Sequence, residues 1–255
     1  MAPSALARRV LNTVTAHDLV RAGDALVVHC RGDAASVGLV HALADLGPEY
    51  GFDLDLTVVH VARPLSTDPT DGDTAAALAA RVAEQRGLPM RRERADAPAG
   101  DCSSAPTAAV LARVAAEVGA RAAAVPTCAD DRAEAVLAAV LRGALSKADL
   151  AGPPAAEPLS AEPPIALVRP LWNAWRSEIE CDLQSRNIDP IRLPEPPAGD
   201  DLVRRVRDEL FVHLESRYNP RIREAMLRFA ESVGGHGEPM QGPRADRADS
   251  NGLSV

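Results

Sequence analysis

Residues 23–36 read Gly-Asp-Ala-Leu-Val-Val-His-Cys-Arg-Gly-Asp-Ala-Ala-Ser. The run Ala25–Cys30 is apolar and short, with Gly23-Asp24 before it and Arg31-Gly32 after it. A continuous run of this kind, in place of alternation, marks a strand covered on both faces, as in a parallel sheet. A helix is expected next, over about Ser36–Leu46, closed by Gly47-Pro48.

The same unit recurs along the chain. Leu54–Val61 fits a second strand, entered from the turn-prone Gly51-Phe52-Asp53. The polar loop Pro64–Asp73 leads to a helix from Ala75 to about Arg86, capped by Asp73 or Thr74 and ended by Gly87. Leu88–Arg94 is expected as a third strand and Ala95–Pro106 as an irregular connection. A helix over about Thr107–Val118 sets Val110, Leu111, Val114, Ala115 and Val118 on one face. Ala122–Pro126 reads as a fourth strand and Asp131–Arg142 as a helix stopped by Gly143. A Pro-rich bridge, Gly152–Pro164, precedes a fifth strand at Ile165–Val168 and a helix over about Ala174–Arg186. The first 20 residues form an amphipathic helix, with Leu6, Val10, Val14 and Leu19 roughly in phase.

Strands alternating with helices predict an α/β fold, a doubly wound parallel sheet with helices on both faces. Functional crevices in such sheets lie beyond the carboxyl ends of the strands. Cys30–Gly32, Val61–Ser66 and Pro126–Asp131 all fall at such ends, so three candidate segments converge. Three parts are expected: an α/β domain over 1–193, a small C-terminal helical extension over 200–233, and a disordered tail over 234–255. Pro194–Gly199 is the linker, and Tyr218-Asn219-Pro220 breaks the extension into two helices. The tail is rich in Gly, Pro, Asp, Arg and Ser and has few apolar residues.

Composition narrows the function classes. The chain has 255 residues, of which 46% are hydrophobic but only 3% aromatic, so Ala, Val and Leu do most of the packing. The net charge of −8 argues against a broad basic surface for nucleic acid, and DNA is not expected as a partner. Cys30, Cys102, Cys128 and Cys181 are widely spaced and read as free thiols, not as a zinc site or disulfide framework. No long apolar run suggests a membrane span or signal peptide, and a cytoplasmic protein is expected.

An ordered set of short motifs carries a resemblance. Val59-His60-Val61 follows the second strand, Asp130-Asp131-x-x-Glu134 follows the fourth, and Leu141-Arg142-Gly143 closes the next helix. Val168-Arg169-Pro170-Leu171, Arg176 and Ile179-Glu180 come next, and then Arg207, Leu210 and Leu214. Over roughly residues 20–232 the chain resembles the N-terminal half of tRNA(Ile)-lysidine synthases, which are N-type ATP pyrophosphatases of the PP-loop superfamily. The resemblance implies an adenine-nucleotide alpha-hydrolase-like sheet with ATP and Mg2+ as cofactors and tRNA and lysine as substrates. In such a ligase ATP adenylates C2 of an anticodon cytidine, and lysine then displaces AMP. It also implies site roles. Asp130, Asp131 and Glu134 would be catalytic, with Asp131 and Glu134 on the metal. Arg31, Gly32, Asp33, Ser36 and His60 would line the nucleotide. Arg142, Arg169, Arg176 and Arg207 would meet the substrate.

The chain departs from that pattern at the nucleotide loop. The family's Ser-Gly-Gly-x-Asp-Ser uses two glycines so that backbone amides can reach the phosphates. Here the loop reads Arg31-Gly32-Asp33-Ala34-Ala35-Ser36, with a carboxylate at the second glycine and Ala35 at the acidic position. Thr127 and Cys128 stand where the family has paired histidines. Ser103–Ala108 lacks two arginines expected near substrate, and Glu195–Ala198 replaces an Asp-x-Ser-Asn segment. The tRNA-binding domains of longer relatives are not in the sequence.

These departures predict a divergent lysidine-synthase-like ligase with little or no activity. The alternative is a pseudoenzyme that keeps the scaffold as a binding or regulatory module. A weaker third option is a stress-type protein that binds ATP or AMP. Plainer readings also stand beside each site residue. Acidic residues suit any helix start, Gly32 and Ser36 suit an ordinary turn and cap, and a packed His60 needs one hydrogen bond. Arg31 and Arg63 could meet phosphates in place of the lost loop. Arg169 and Arg176 could instead bridge to Glu178 or Glu180. The tripeptide Arg31-Gly32-Asp33 matches an adhesion motif by coincidence, since it abuts a core strand.

Overall fold

The computed structural model describes residues 3–62, 69–95, 105–143, 146, 154–191 and 201–234. Arg63, Cys102, the 194–199 linker and the tail beyond Gly234 lie outside the described residues. Helix α1 (Ala5–Ala16) starts at Ser4, whose hydroxyl accepts from the Ala7 amide, and buries Leu6, Val10 and Val14. Then follow β1 (Ala25–His29), α2 (Ala34–Tyr50), β2 (Asp55–Ala62), α3 (Pro69–Gln85) and β3 (Met90–Arg94). The second half holds α4 (Ala105–Glu117), β4 (Ala122–Ala124), α5 (Ala129–Leu141), β5 (Ala156–Ser160), β6 (Ile165–Val168) and α6 (Arg176–Ser185).

The strands form one six-stranded sheet in the order β3-β2-β1-β4-β6-β5, parallel except for β5. Residue alternation along β1 divides the core. Leu26 and Val28 pack with α1, α2, α3 and α6 on one face, while Val27 packs with α4 on the other. At about 1.5–3 kcal/mol for each fully buried Val or Leu, this two-sided covering is the main stabilising contribution. The α/β fold, doubly wound around a mostly parallel sheet, is therefore as the strand-helix alternation requires.

Several local expectations are corrected. Helix α2 does not stop at Gly47-Pro48. It runs one turn further and closes at Gly51, which takes the left-handed conformation (φ 65°) and donates to the Gly47 carbonyl at 2.8 Å. Pro48 removes one helical N–H but leaves the last turn intact. Helix α3 begins at Pro69, not Ala75, so neither Asp73 nor Thr74 is its cap. Asp73 instead pairs with Arg92. The Pro-rich bridge contains a strand, β5, which pairs antiparallel with β6. A proline can sit there because β5 is the sheet edge and one side of its backbone needs no partner.

After the sheet, α7 (Asp201–Arg205), a π-helical turn (Val206–Leu210) and α8 (Phe211–Arg217) run on as one rod. Helix α9 (Ile222–Gly234) folds back beside it. This pair meets α5 in a separate apolar cluster built on Ala129, Ala133, Leu137, Phe211 and Leu227. Among the described residues no helix is long and apolar enough to cross a membrane.

Candidate functional site

The chain leaves β1 for β2 and β3 on one side, then returns to place β4 on β1's other side. That reversal opens a crevice beyond the carboxyl ends of β1 and β4. The loop after β1 and the start of α5 both border it, as the converging segments predicted for residues 30–32 and 126–131.

The loop after β1 is closed upon itself. Ser36 is fully buried, and its hydroxyl accepts from the amides of Arg31 (3.0 Å) and Gly32 (3.1 Å) while donating to the Asp33 carbonyl (3.1 Å). Asp33 is the N-cap of α2, with Oδ1 accepting from the Ser36 amide at 3.0 Å. Its other oxygen pairs with the Arg31 guanidinium. Three amides and one cation that could meet an anionic ligand thus have internal partners. Asp33 supplies the negative charge that a helix N-terminus favours. Gly32 keeps the permissive backbone expected of it, with φ +92°.

His60 stands next to the loop at the end of β2. It is buried, and Nδ1 lies 2.9 Å from the Cys30 carbonyl, which requires that nitrogen to carry the proton and donate. Burial is the main cause of its lowered pKa, partly offset by that hydrogen bond, with Arg92 adding to the depression. The Cys30 thiol beside it is pushed up to about 11, chiefly by burial, so it is protonated at neutral pH.

The second half of the crevice is an ionic cluster. Asp131 Oδ2 accepts from the Cys128 amide at 2.9 Å, closing a capping box at the start of α5. Its other oxygen meets Arg176 Nη2 at 2.9 Å. Asp130 Oδ2 accepts from the backbone amide of Arg176 at 2.7 Å. Glu134 is 0% exposed and is shared by three arginines. Arg176 reaches Oε1 at 3.1 Å, Arg207 reaches Oε2 at 2.9 Å, and Arg223 reaches Oε1 at 3.4 Å. Arg223 also lies 3.5 Å from Asp130 and 2.8 Å from Glu215, and its guanidinium stacks on Phe211 at 4.2 Å. Burial is the largest single influence on Arg176 and Arg207 and works against their charges, but Glu134 together with the neighbouring acidic groups raises both pKa values.

Asp131 and Glu134 face guanidinium groups, and among the described residues no group of three or more His, Cys, Asp or Glu side chains is arranged to hold a metal ion. Asp131 and Glu134, the pair expected at a metal, are both engaged by arginines in this structure. The cationic positions are taken by side chains of the protein itself.

The structure brings Arg176 and Arg207 into the cluster but not the other two arginines. Arg169, 7% exposed, donates to the Pro154 carbonyl at 2.7 Å and pairs with Glu157, so it secures the β5–β6 hairpin. Arg142 caps the far end of α5, about 18 Å along the helix from Asp130 at 1.5 Å per residue. The alternative partners are corrected too. Glu178 pairs with Arg9 at 2.6 Å and accepts from the Trp175 amide at 2.8 Å, leaving Arg176 to Asp131 and Glu134.

Sequence reasoning missed Arg223 and Glu215, which carry no motif. It also missed Arg132, 2% exposed, whose guanidinium lies 3.3 Å over the Trp172 ring and donates to the Trp172 carbonyl at 3.1 Å. The adjacency of Arg132 to the matched Asp-Asp pair was the one available hint.

Comparisons with known proteins agree with this architecture. A family model described as a PP-loop domain matches residues 4–195. The tRNA(Ile)-lysidine synthase of Symbiobacterium thermophilum is 30% identical over 231 residues, covering 88% of this chain and 46% of that protein. The tRNA(Ile)-lysidine synthase of Solibacter usitatus is 33% identical over 215 residues, covering 82% and 45%. The chain thus spans about half the length of the curated relatives it matches. Among solved structures, the U34-tRNA thiolase NcsA from Methanococcus maripaludis, with its 4Fe-4S cluster, superposes with a TM-score of 0.68. At 17% identity, covering 91% of this chain and 78% of the other, that likeness speaks for the fold alone. With its sheet order, its crevice at the β1/β4 switch and a family match across most of its length, the chain belongs to the PP-loop domain family.

Proposed function

We propose that this protein is a divergent relative of tRNA(Ile)-lysidine synthases that has lost ATP-dependent ligation and serves as a non-catalytic binding module. The observation that carries this reading is the self-satisfied loop. Ser36 Oγ holds the Arg31 and Gly32 amides, and Asp33 caps α2 where an anionic phosphate would have to bind. A phosphate entering this loop would break those hydrogen bonds and meet the Asp33 carboxylate. At about 4 Å that like-charge contact costs about 1 kcal/mol in bulk water and about 4 kcal/mol at the effective dielectric of a protein surface.

The acidic cluster supports the same reading. Asp131 and Glu134 are neutralised by arginines, so no free carboxylate pair awaits Mg2+. The names of the relatives support tRNA as the partner class; a cytoplasmic location and the loss of lysine joining are parts of the proposal. The test is direct. Purified protein is incubated with ATP, Mg2+, lysine and tRNA(Ile), and AMP and pyrophosphate are measured alongside a tRNA mobility shift. No lysine-dependent AMP together with a tRNA shift is expected. Robust lysine- and tRNA-dependent AMP formation would restore the ligase. No tRNA shift would remove tRNA from the proposal.

A further inference from the structure

Glu134 joins the sheet domain and the C-terminal helices through both carboxylate oxygens, and it is wholly buried in doing so. Its Oε1 receives Arg176 from α6, and its Oε2 receives Arg207 from the π-helical turn. Arg223 of α9 closes the arrangement from above, resting on Phe211. The π turn matters here. The Phe211 amide bonds to the Val206 carbonyl, five residues back, and that wider turn sits between Arg207 on Glu134 and Phe211 in the apolar cluster of α5.

The pair's apolar foothold is the outer face of α5 with Trp175 beside it, a cluster separate from the two cores that flank the sheet. A buried ionic centre within that contact makes the pair's attachment depend on the ions being complete, because one unpaired buried charge costs more than the pair contributes.

We propose that the carboxylates of α5, in a position where a divalent cation would be expected, form instead a dock for the chain's own C-terminal helices. Arg207 and Arg223 are the docking cations. Glu134 is the latch, and the helix pair detaches as one unit when the latch is incomplete. This inference concerns the α5 cluster and stands independently of the reading of the Arg31–Ser36 loop.

The test uses the full chain and hydrogen-exchange mass spectrometry. The double variant Arg207→Ala/Arg223→Ala leaves Arg176 on Glu134, so the sheet domain keeps a counter-ion. Amide protection over 201–234 is expected to fall at least about tenfold, with protection in β1, β2 and β4 unchanged. Glu134→Gln is expected to give the same pattern, and the double variant decides the matter if Glu134→Gln does not fold. Mn2+ serves as the cation probe, followed by its electron paramagnetic resonance signal. Wild type and Glu134→Gln are expected to retain equal free Mn2+. Wild-type protection over 201–234 in the double variant would overturn the proposal. So would loss of protection throughout the sheet, or stoichiometric Mn2+ binding that disappears in Glu134→Gln.

Discussion

Replacing Asp33 by glycine separates two roles of one carboxylate. As the N-cap of α2, Asp33 accepts from the Ser36 amide at 3.0 Å, and glycine at a cap costs only a few tenths of a kcal/mol relative to aspartate. As a charge at the loop, it would oppose a phosphate by about 1–4 kcal/mol between the dielectric of water and that of a protein surface. Arg31, now paired with Asp33, would also be released towards an incoming anion. The variant should therefore melt within about 2 °C of wild type, since 1 kcal/mol moves Tm by roughly 2–4 °C in a chain of this size. Its ATP affinity should rise by at least about fivefold, the factor that corresponds to 1 kcal/mol. The wild type should bind no tighter than about 0.1 mM, near −5.5 kcal/mol. Titration calorimetry at low salt, with and without Mg2+, measures both quantities. Low-micromolar ATP binding by the wild type would refute the self-satisfied loop. An unchanged affinity in Asp33→Gly would show that the loop is not where the phosphates go.

Three further outcomes are expected. His41 is buried with both ring nitrogens lacking a hydrogen-bond partner, and its pKa is lowered to about 4, first by burial and then by Arg86 and Arg186. The unfolded chain binds that proton more readily, so stability should fall as pH drops from about 6.5 to about 4, by up to about 3 kcal/mol. His41→Leu should flatten that part of the denaturation profile, and an unaltered slope would count against the assignment. A Cβ on Gly38 would lie 2.6 Å from Ile179 Cγ2, a branched atom with little freedom to move. Gly38→Ala should therefore lose about 1–2 kcal/mol in urea unfolding, overpacking at α2–α6 outweighing the helix-propensity gain; a neutral result would contradict the tight contact. Arg132→Ala should cost about 2–4 kcal/mol through loss of buried packing and of the stack on Trp172, and a loss below about 1 kcal/mol would make the stack incidental.

The expected α/β architecture and the PP-loop kinship were legible because both rest on local patterns. Ala25–Cys30 is apolar without alternation since β1 is covered on both faces, and Gly32 marks a backbone that must turn with positive φ. The ordered motifs from Val59 to Leu214 similarly belong to individual strand ends and helix starts. Boundaries were less legible. Pro48 signalled a stop, yet a helix loses only one hydrogen bond to it near its end, and β5 was hidden by Pro158, which an edge strand tolerates.

What the residues do at the crevice was decided by tertiary structure. The sequence by itself determined that a carboxylate replaces glycine at position 33 and that an acidic trio follows β4. It could not determine that Asp33 turns back to cap α2, or that Glu134 meets Arg207 and Arg223 from 73 and 89 residues away. A charge near a helix start suits solvent, a metal or an arginine equally well. The choice depends on which side chain the packing of a remote helix brings within about 3 Å, and no local spacing encodes that distance.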